Sequence, residues 1–277
     1  MKYKIKDLLL NYEIVGHGKP VIMLHGYAAD HRLMMGCMEP IFKNRENYKR
    51  IYIDLPGMGE SNSGEWINNV DIILDIIIKF IKNIIPNEKF IIAGESYGGY
   101  VSRGIIYKMA DMVDGILLIC PVIIPNMKDR NLPERVVLIK DDDLLAKLSP
   151  NDAKGFGQML TIQNKRTYRR YEVEVASGVK AADHDFLKKL KRNGFKFTFD
   201  VDKINAKFDK PALILLGHQD SRVGYKDAWC IIDNYPRATF SILDGAGHNL
   251  QIEQEKLFNC LVNEWLDRIE KFKQRKL

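Results

Sequence analysis

Short apolar runs recur along the chain at residues 21–24, 51–54, 90–93, 115–119, 212–216 and 239–243. Most are continuous rather than alternating, which is the pattern of parallel strands covered on both faces. Segments of helical period lie between them. Residues 70–85 set a broad apolar face against Asp71, Asp75, Lys79 and Lys82 and stop at Pro86, and residues 98–109 and 254–272 form two more such segments. Residues 3–15 read as a hairpin or a pair of edge strands, and Gly16-His17-Gly18-Lys19-Pro20 as the turn into the first central strand, with His17 a turn residue. Strands alternating with helices predict an α/β fold built on a doubly wound, mostly parallel sheet.

One region breaks the alternation. Residues 121–210 separate two core strands by about 90 positions, far more than a crossover needs. The stretch is rich in lysine and arginine and carries helical signals. Asp141-Asp142-Asp143 caps an apolar face that runs to Leu148, and residues 167–175 continue a second helical pattern. The expected organisation is a core made of residues 1–120 and 211–277, with a helical subdomain, residues 121–210, inserted after the sixth strand.

At 277 residues the chain is long enough for one large core plus a small subdomain. Apolar residues at 46% and charged residues at 28% exclude a disordered chain. No apolar stretch is long enough to span a bilayer, and Leu8-Leu9-Leu10 is too short for a signal-peptide core, so the expected location is cytoplasmic. A net charge of +6 raises the question of nucleic acid, but the lysines are dispersed. The one dense basic run, residues 271–276, ends a predicted helix where cations oppose the helix dipole. The partner expected is a small-molecule substrate, not nucleic acid. Cys37, Cys120, Cys230 and Cys260 have no metal-ligand spacing and read as free, mostly buried thiols.

The richest motif is Gly94-Glu95-Ser96-Tyr97-Gly98, which follows an apolar strand and opens a helix. A serine on such a turn needs an unusual backbone angle and small neighbours, and the turn lifts its hydroxyl clear of the sheet. Four further motifs accompany it: a strand ending in His25-Gly26-Tyr27, the turn Asp54-Leu55-Pro56-Gly57-Met58-Gly59-Glu60-Ser61, a strand leading through Gly217-His218-Gln219 to Asp220, and a strand leading through Gly245-Ala246-Gly247 to His248. In this order the set resembles the α/β-hydrolase superfamily over nearly the whole chain.

The resemblance implies the α/β-hydrolase fold, with residues 121–210 as a lid. It also implies Ser96 as nucleophile, His248 as base and Asp220 as orienting acid, with oxyanion donors at the backbone N–H groups of Tyr27 and Tyr97. His25 rivals His248 but falls in the oxyanion loop, where it is structural. Asp244 competes with Asp220, although in the resemblance it ends a strand. His31 and His184 are candidates only for lining a pocket, and His218 lacks a comparable setting. Glu95 is expected to point away from Ser96. Asp54 to Ser61 supplies turn chemistry rather than catalysis.

No cofactor or metal is implied. The expected activity is hydrolysis of a small carboxylic ester through an acyl-enzyme. Carbon–carbon bond hydrolysis, N-terminal peptide cleavage and lipid acyl hydrolysis stay open, as does a non-catalytic small-molecule-binding protein.

Overall fold

The computed structural model describes residues 1–274, and the end of the basic run at 271–276 lies outside the described residues. β1 (Lys2–Ile5) and β2 (Leu8–Val15) form an antiparallel hairpin. The apolar runs then supply β3 (Lys19–Leu24), β4 (Tyr48–Ile53), β5 (Phe90–Glu95) and β6 (Val113–Ile119). The crossovers between them are α1 (His31–Phe42), α2 (Val70–Ile84) and α3 (Tyr97–Met109).

The insertion contains β7 (Ile139–Lys140), α4 (Asp142–Lys147), α5 (Pro150–Met159), β8 (Ile162–Gln163) and α6 (Lys165–Tyr171). A π-helical turn, Glu172–Ala176, carries α6 into α7 (Ser177–Ala181), and α8 (His184–Asn193) follows. The core resumes with β9 (Ala212–Gly217), β10 (Ala238–Leu243), the short α9 (Leu250–Glu253) and α10 (Glu255–Gln274).

Among the described residues the main sheet has eight strands in the order β1-β2-β4-β3-β5-β6-β9-β10, and β7 pairs with β8 in a separate ladder. The pairs β1–β2 and β2–β4 are antiparallel, and every other pair of the main sheet is parallel. β5 and β9 are buried along their whole length, which is why their sequences do not alternate. α2 begins at Asn69, whose side chain accepts from the Ile72 N–H, and turns Val70, Ile73, Leu74, Ile77, Phe80 and Ile81 inward. Phe80 also receives the ring edges of Tyr3 and Tyr12, pinning the hairpin to the sheet. Truncating Phe80 to alanine would cost about 3–5 kcal/mol.

The insertion is packed onto the rest of the chain at two places. Phe186, Leu187 and Leu190 of α8 join the main core. Phe156, Leu160, Tyr171 and Val175 form a second apolar cluster that takes in Ala29, Leu33 and Ile252 from outside the insertion. Pro40 inside α1 helps to fix this contact. Proline has no N–H, so the carbonyl four residues earlier lacks its helical partner. That carbonyl, Gly36 O, accepts instead from Arg170 Nη2 of α6 at 3.2 Å. The chain returns to the core through Phe195, Phe197 and Phe199, whose rings pack against Tyr97, Tyr100 and Tyr107 of α3. Among the described residues no helix is long and apolar enough to cross a membrane.

Candidate active site

β5 ends at Glu95 and α3 starts at Tyr97, so Ser96 alone makes the turn, with φ 51° and ψ −112°. A left-handed conformation at a residue with a side chain costs on the order of 1–3 kcal/mol and persists only where the surroundings enforce it. Enforcement here is steric. A Cβ at position 94 would lie 2.5 Å from the Gly98 carbonyl oxygen, and one at position 98 would lie 2.2 Å from Leu24 O. The two glycines let α3 press against β3 and β5, and Ser96 emerges at the carboxyl edge of the parallel strands.

The same edge receives the loops after β9 and β10, because parallel strands deliver their ends to one side. His248 Nε2 lies 2.9 Å from Ser96 Oγ, and His248 Nδ1 lies 2.8 Å from Asp220 Oδ2. Asp220 is fully buried, and its Oδ1 accepts from the N–H groups of Arg222 and Val223 at 2.8 and 3.1 Å. Burial pushes the Asp220 carboxyl up, but His248 and these amides outweigh it and hold the pKa below the usual range. An ionised carboxylate only accepts, so Nδ1 carries the proton and Nε2 is left to accept from the serine. Burial likewise lowers His248, while Asp220 and Glu95 together raise its pKa above that of a free imidazole.

The rival residues lie elsewhere. Asp244 is exposed and accepts from Gln219 Nε2. His25 Nε2 accepts from the Leu55 N–H and Nδ1 bonds Gly26 O, so this buried ring ties the β3 loop to the β4 loop. Burial lowers its pKa. His31 is locked against Asp54, and His184 bonds Val179 O. Asp54 accepts from Asn11, His31 and Glu60, which is the turn-forming work its motif implies.

Tyr27 follows β3, and Tyr97 opens α3, where helix geometry leaves N–H groups without an intrahelical acceptor. The Tyr27 hydroxyl is taken up by Leu187 O at 2.6 Å, whereas the buried Tyr97 hydroxyl has no protein partner.

Glu95 departs from expectation. Its side chain turns toward the site, with Oε1 3.5 Å from His248 Nε2. A carboxyl in the core must find a polar partner, and the imidazole and the Gly26 amide provide it. Burial pushes its pKa up to about 7. The cysteines also differ from expectation, since Cys230 and Cys260 are exposed and only Cys37 and Cys120 are buried.

Glu253 goes unread in the sequence. Its carboxyl accepts from Thr161 N, from Ile162 N at 2.9 Å and from Gly247 N at 2.6 Å. Burial pushes it up to about 7 against the pull of those amides. The only signal for it is an acidic residue placed directly after Ile252 in the segment behind His248.

Among the described residues two clusters bring three potential metal donors within 4.8 Å, Cys120 with Asp220 and His248, and Asp30 with His31 and Asp54. In both, the carboxylates and imidazoles are already hydrogen-bonded, chiefly to each other.

A cavity of about 270 Å³ opens above Ser96 and His248. Tyr27, Val122, Met127, Met159, Phe195 and Val223 form its apolar wall. That volume holds about nine water-sized groups, enough for a short acyl chain. A larger hollow of about 560 Å³ among Lys19, Tyr48 and Glu270 lies where β3 and β4 begin, at the opposite edge of the sheet.

Residues 19–255 match a family described as the alpha/beta hydrolase fold. The mouse (Mus musculus) monoacylglycerol lipase ABHD6 is 22% identical over 95% of this chain and 80% of its own length. The pimeloyl-[acyl-carrier protein] methyl ester esterase of Pseudoalteromonas atlantica is 28% identical over 66% of this chain and 63% of its own length. An alpha/beta superfamily hydrolase of Oenococcus oeni PSU-1 superimposes with a TM-score of 0.87, is 29% identical, and covers 98% of this chain and 99% of its own. The chain with this serine turn, these loops and this sheet order belongs to the α/β-hydrolase family.

Proposed function

We propose that the protein is a serine hydrolase that cleaves small carboxylic esters through an acyl-enzyme. The observation that carries this reading is the unbroken line of contacts from Asp220 through His248 to Ser96 Oγ, at 2.8 and 2.9 Å. Ser96 Oγ attacks the ester carbonyl carbon while its proton passes to His248 Nε2, and the Nδ1–H to Asp220 bond stabilises the imidazolium that forms. The negative charge on the carbonyl oxygen is received by the N–H groups of Tyr27 and Tyr97. The carbon–oxygen bond to the leaving group breaks, and His248 returns the proton to the departing alcohol. Water then repeats the sequence and releases the acid.

The insertion is read as a lid, because Met127, Met159, Val179 and Phe195 from residues 121–210 supply much of the wall above Ser96. The names of the lipase and esterase relatives fit ester hydrolysis. A cavity of this volume accommodates a short acyl group.

The test pairs a fluorophosphonate probe with 4-nitrophenyl esters of increasing chain length. The expected result is labelling of the native enzyme, loss of labelling and turnover in Ser96→Ala, and a rate that declines beyond short acyl chains. A folded enzyme that neither labels nor hydrolyses any ester would replace this reading with a non-catalytic binding role.

A further inference from the structure

The charges around the mouth of the cavity are all of one sign. Arg130, Lys191 and Arg222 line the cavity that holds Ser96. An adjoining hollow of about 540 Å³ shares Pro125, Met127, Lys191 and Phe195 with it and adds Lys128, Arg192 and Lys196. Among the described residues no aspartate or glutamate lines either space. The whole chain carries 42 basic and 36 acidic residues, so six bases without an acid around one opening do not reflect its average composition.

Local architecture accounts for part of this pattern. Lys191 and Arg192 sit in the last turn of α8, where the helix dipole favours cations. It does not account for Arg130. That guanidinium is held in place by three main-chain carbonyls, Ile124 O at 2.7 Å, Arg222 O at 2.7 Å and Pro125 O at 2.9 Å, and by no carboxylate. The bonds fix its position without cancelling its charge. Asp220 and Asp227 act on its charge through space, but the nearby carboxylates make their hydrogen bonds elsewhere, Asp220 with His248, Asp227 with the Asn131 N–H and Asp129 with Asn126. Lys188 on the same helix pairs with Asp185, whereas Lys191, Arg192, Lys128 and Lys196 have no ion pair among the described residues. A fixed guanidinium with no carboxylate bonded to it, lining a largely apolar pocket with further cations outside, is how proteins recognise carboxylate or phosphate.

We infer that the substrate is an ester bearing an anionic group, a carboxylate or a phosphate, which Arg130 and Lys191 hold while Ser96 attacks the ester carbonyl. The inference rests on the hydrolase reading and adds the substrate class. The anion belongs to the part of the substrate that is not attacked, and it stays unchanged through the reaction.

Two matched pairs of esters separate an anion on the acyl side from one on the alcohol side. The first is 4-nitrophenyl hydrogen adipate against methyl 4-nitrophenyl adipate. The second is the butanoyl ester of 4-hydroxyphenylacetate against that of its methyl ester. In one pair, kcat/KM for the charged ester is expected to exceed that of its neutral partner by about tenfold to a hundredfold, the range of a charge-assisted hydrogen bond. The ratio is expected to fall when salt rises from ~10 to ~500 mM. Arg130→Gln is expected to lower it at least about fivefold. Because Arg130 also joins three carbonyls, the exposed substitutions Lys191→Glu and Lys196→Glu provide a second test through the same ratio. If neutral and charged esters are cleaved alike in both pairs while the fluorophosphonate still labels Ser96, the substrate class is wrong and the hydrolase reading stands. If no ester is cleaved and Ser96 is not labelled, the hydrolase reading itself has failed and this inference falls with it.

Discussion

Replacing Glu95 by glutamine tests the electrostatics of the site directly. The Glu95 carboxyl lies 3.5 Å from His248 Nε2, the nitrogen that in the proposed mechanism must be free of its proton before Ser96 attacks. At an effective dielectric constant of ~20, a full charge at that distance is worth about 5 kcal/mol. With its pKa near 7, Glu95 carries about half a charge around neutrality, which leaves about 2 kcal/mol. At 1.36 kcal/mol per pH unit this is a ceiling of between one and two units for the effect on the imidazole. The sign follows from charge: ionised Glu95 stabilises imidazolium, so its removal makes His248 a weaker base. The acid limb of the kcat/KM profile, measured with a short 4-nitrophenyl ester from about pH 5 to pH 9, is therefore expected to move down by about one pH unit in Glu95→Gln. The titration belongs to the His248–Glu95 pair, so the mutant limb is also expected to be a simple single-proton curve. A limb that stays in place or moves upward would mean that Glu95 remains protonated throughout and that its charge plays no part.

Four more outcomes follow from the geometry. The Tyr97 hydroxyl is buried without a protein partner, so Tyr97→Phe should raise unfolding stability by about 1 kcal/mol in urea melts; a loss of stability would show that the hydroxyl is satisfied. Asp220→Asn should reduce kcat by several orders of magnitude because it removes the charge that fixes the His248 tautomer, while Asp244→Asn should leave kcat within about twofold; the reverse pattern would reassign the acid. Gly98→Ala should abolish soluble expression or cost more than about 3 kcal/mol, since its Cβ would sit 2.2 Å from Leu24 O; near-native stability would show that the turn can relax. Glu253, pushed up to about 7 from an ordinary carboxylate value, keeps a proton in the folded state that the unfolded chain gives up, so its contribution to stability declines as pH rises between about 4.5 and 7. The stability difference between wild type and Glu253→Gln should accordingly shrink by roughly 2 kcal/mol from pH 5 to pH 8, and a constant difference would refute the assignment.

The sheet was legible because its central strands are buried on both faces and so read as unbroken apolar runs; β5 and β9 begin and end within two residues of those runs. α1 was not legible, because Gly36 and Pro40 interrupt its pattern and the carbonyl that Pro40 leaves open is satisfied by Arg170, more than 120 positions away in sequence. In the insertion, the Asp141 cap announces α4 through local chemistry, whereas the π-helical turn at Glu172–Ala176 and the two-residue ladder of β7 with β8 depend on packing against α1 and α9. Around the site, the order of Ser96, Asp220 and His248 is written in the motifs. The inward turn of Glu95 is not, since one backbone angle at Ser96 decides where its neighbour points. Arg130 and Lys191 are separated by about 60 residues, and only the fold brings them to a common opening.

The three amides gathered by Glu253 bear on how a substrate enters. Thr161 and Ile162 belong to the insertion, and Gly247 precedes His248 in the loop after β10. Lifting this side of the insertion would strip a buried carboxylate of its donors and at the same time pull on the histidine loop, so the two segments form one rigid wall. Among the described residues no hydrogen bond ties the opposite rim, residues 125–130 and 191–196, to the histidine loop, and Arg130 ties it instead to the loop after β9 through Arg222 O. An anionic ester of the class inferred above, entering on that cationic side, would meet Lys128, Arg192 and Lys196 before it meets the serine.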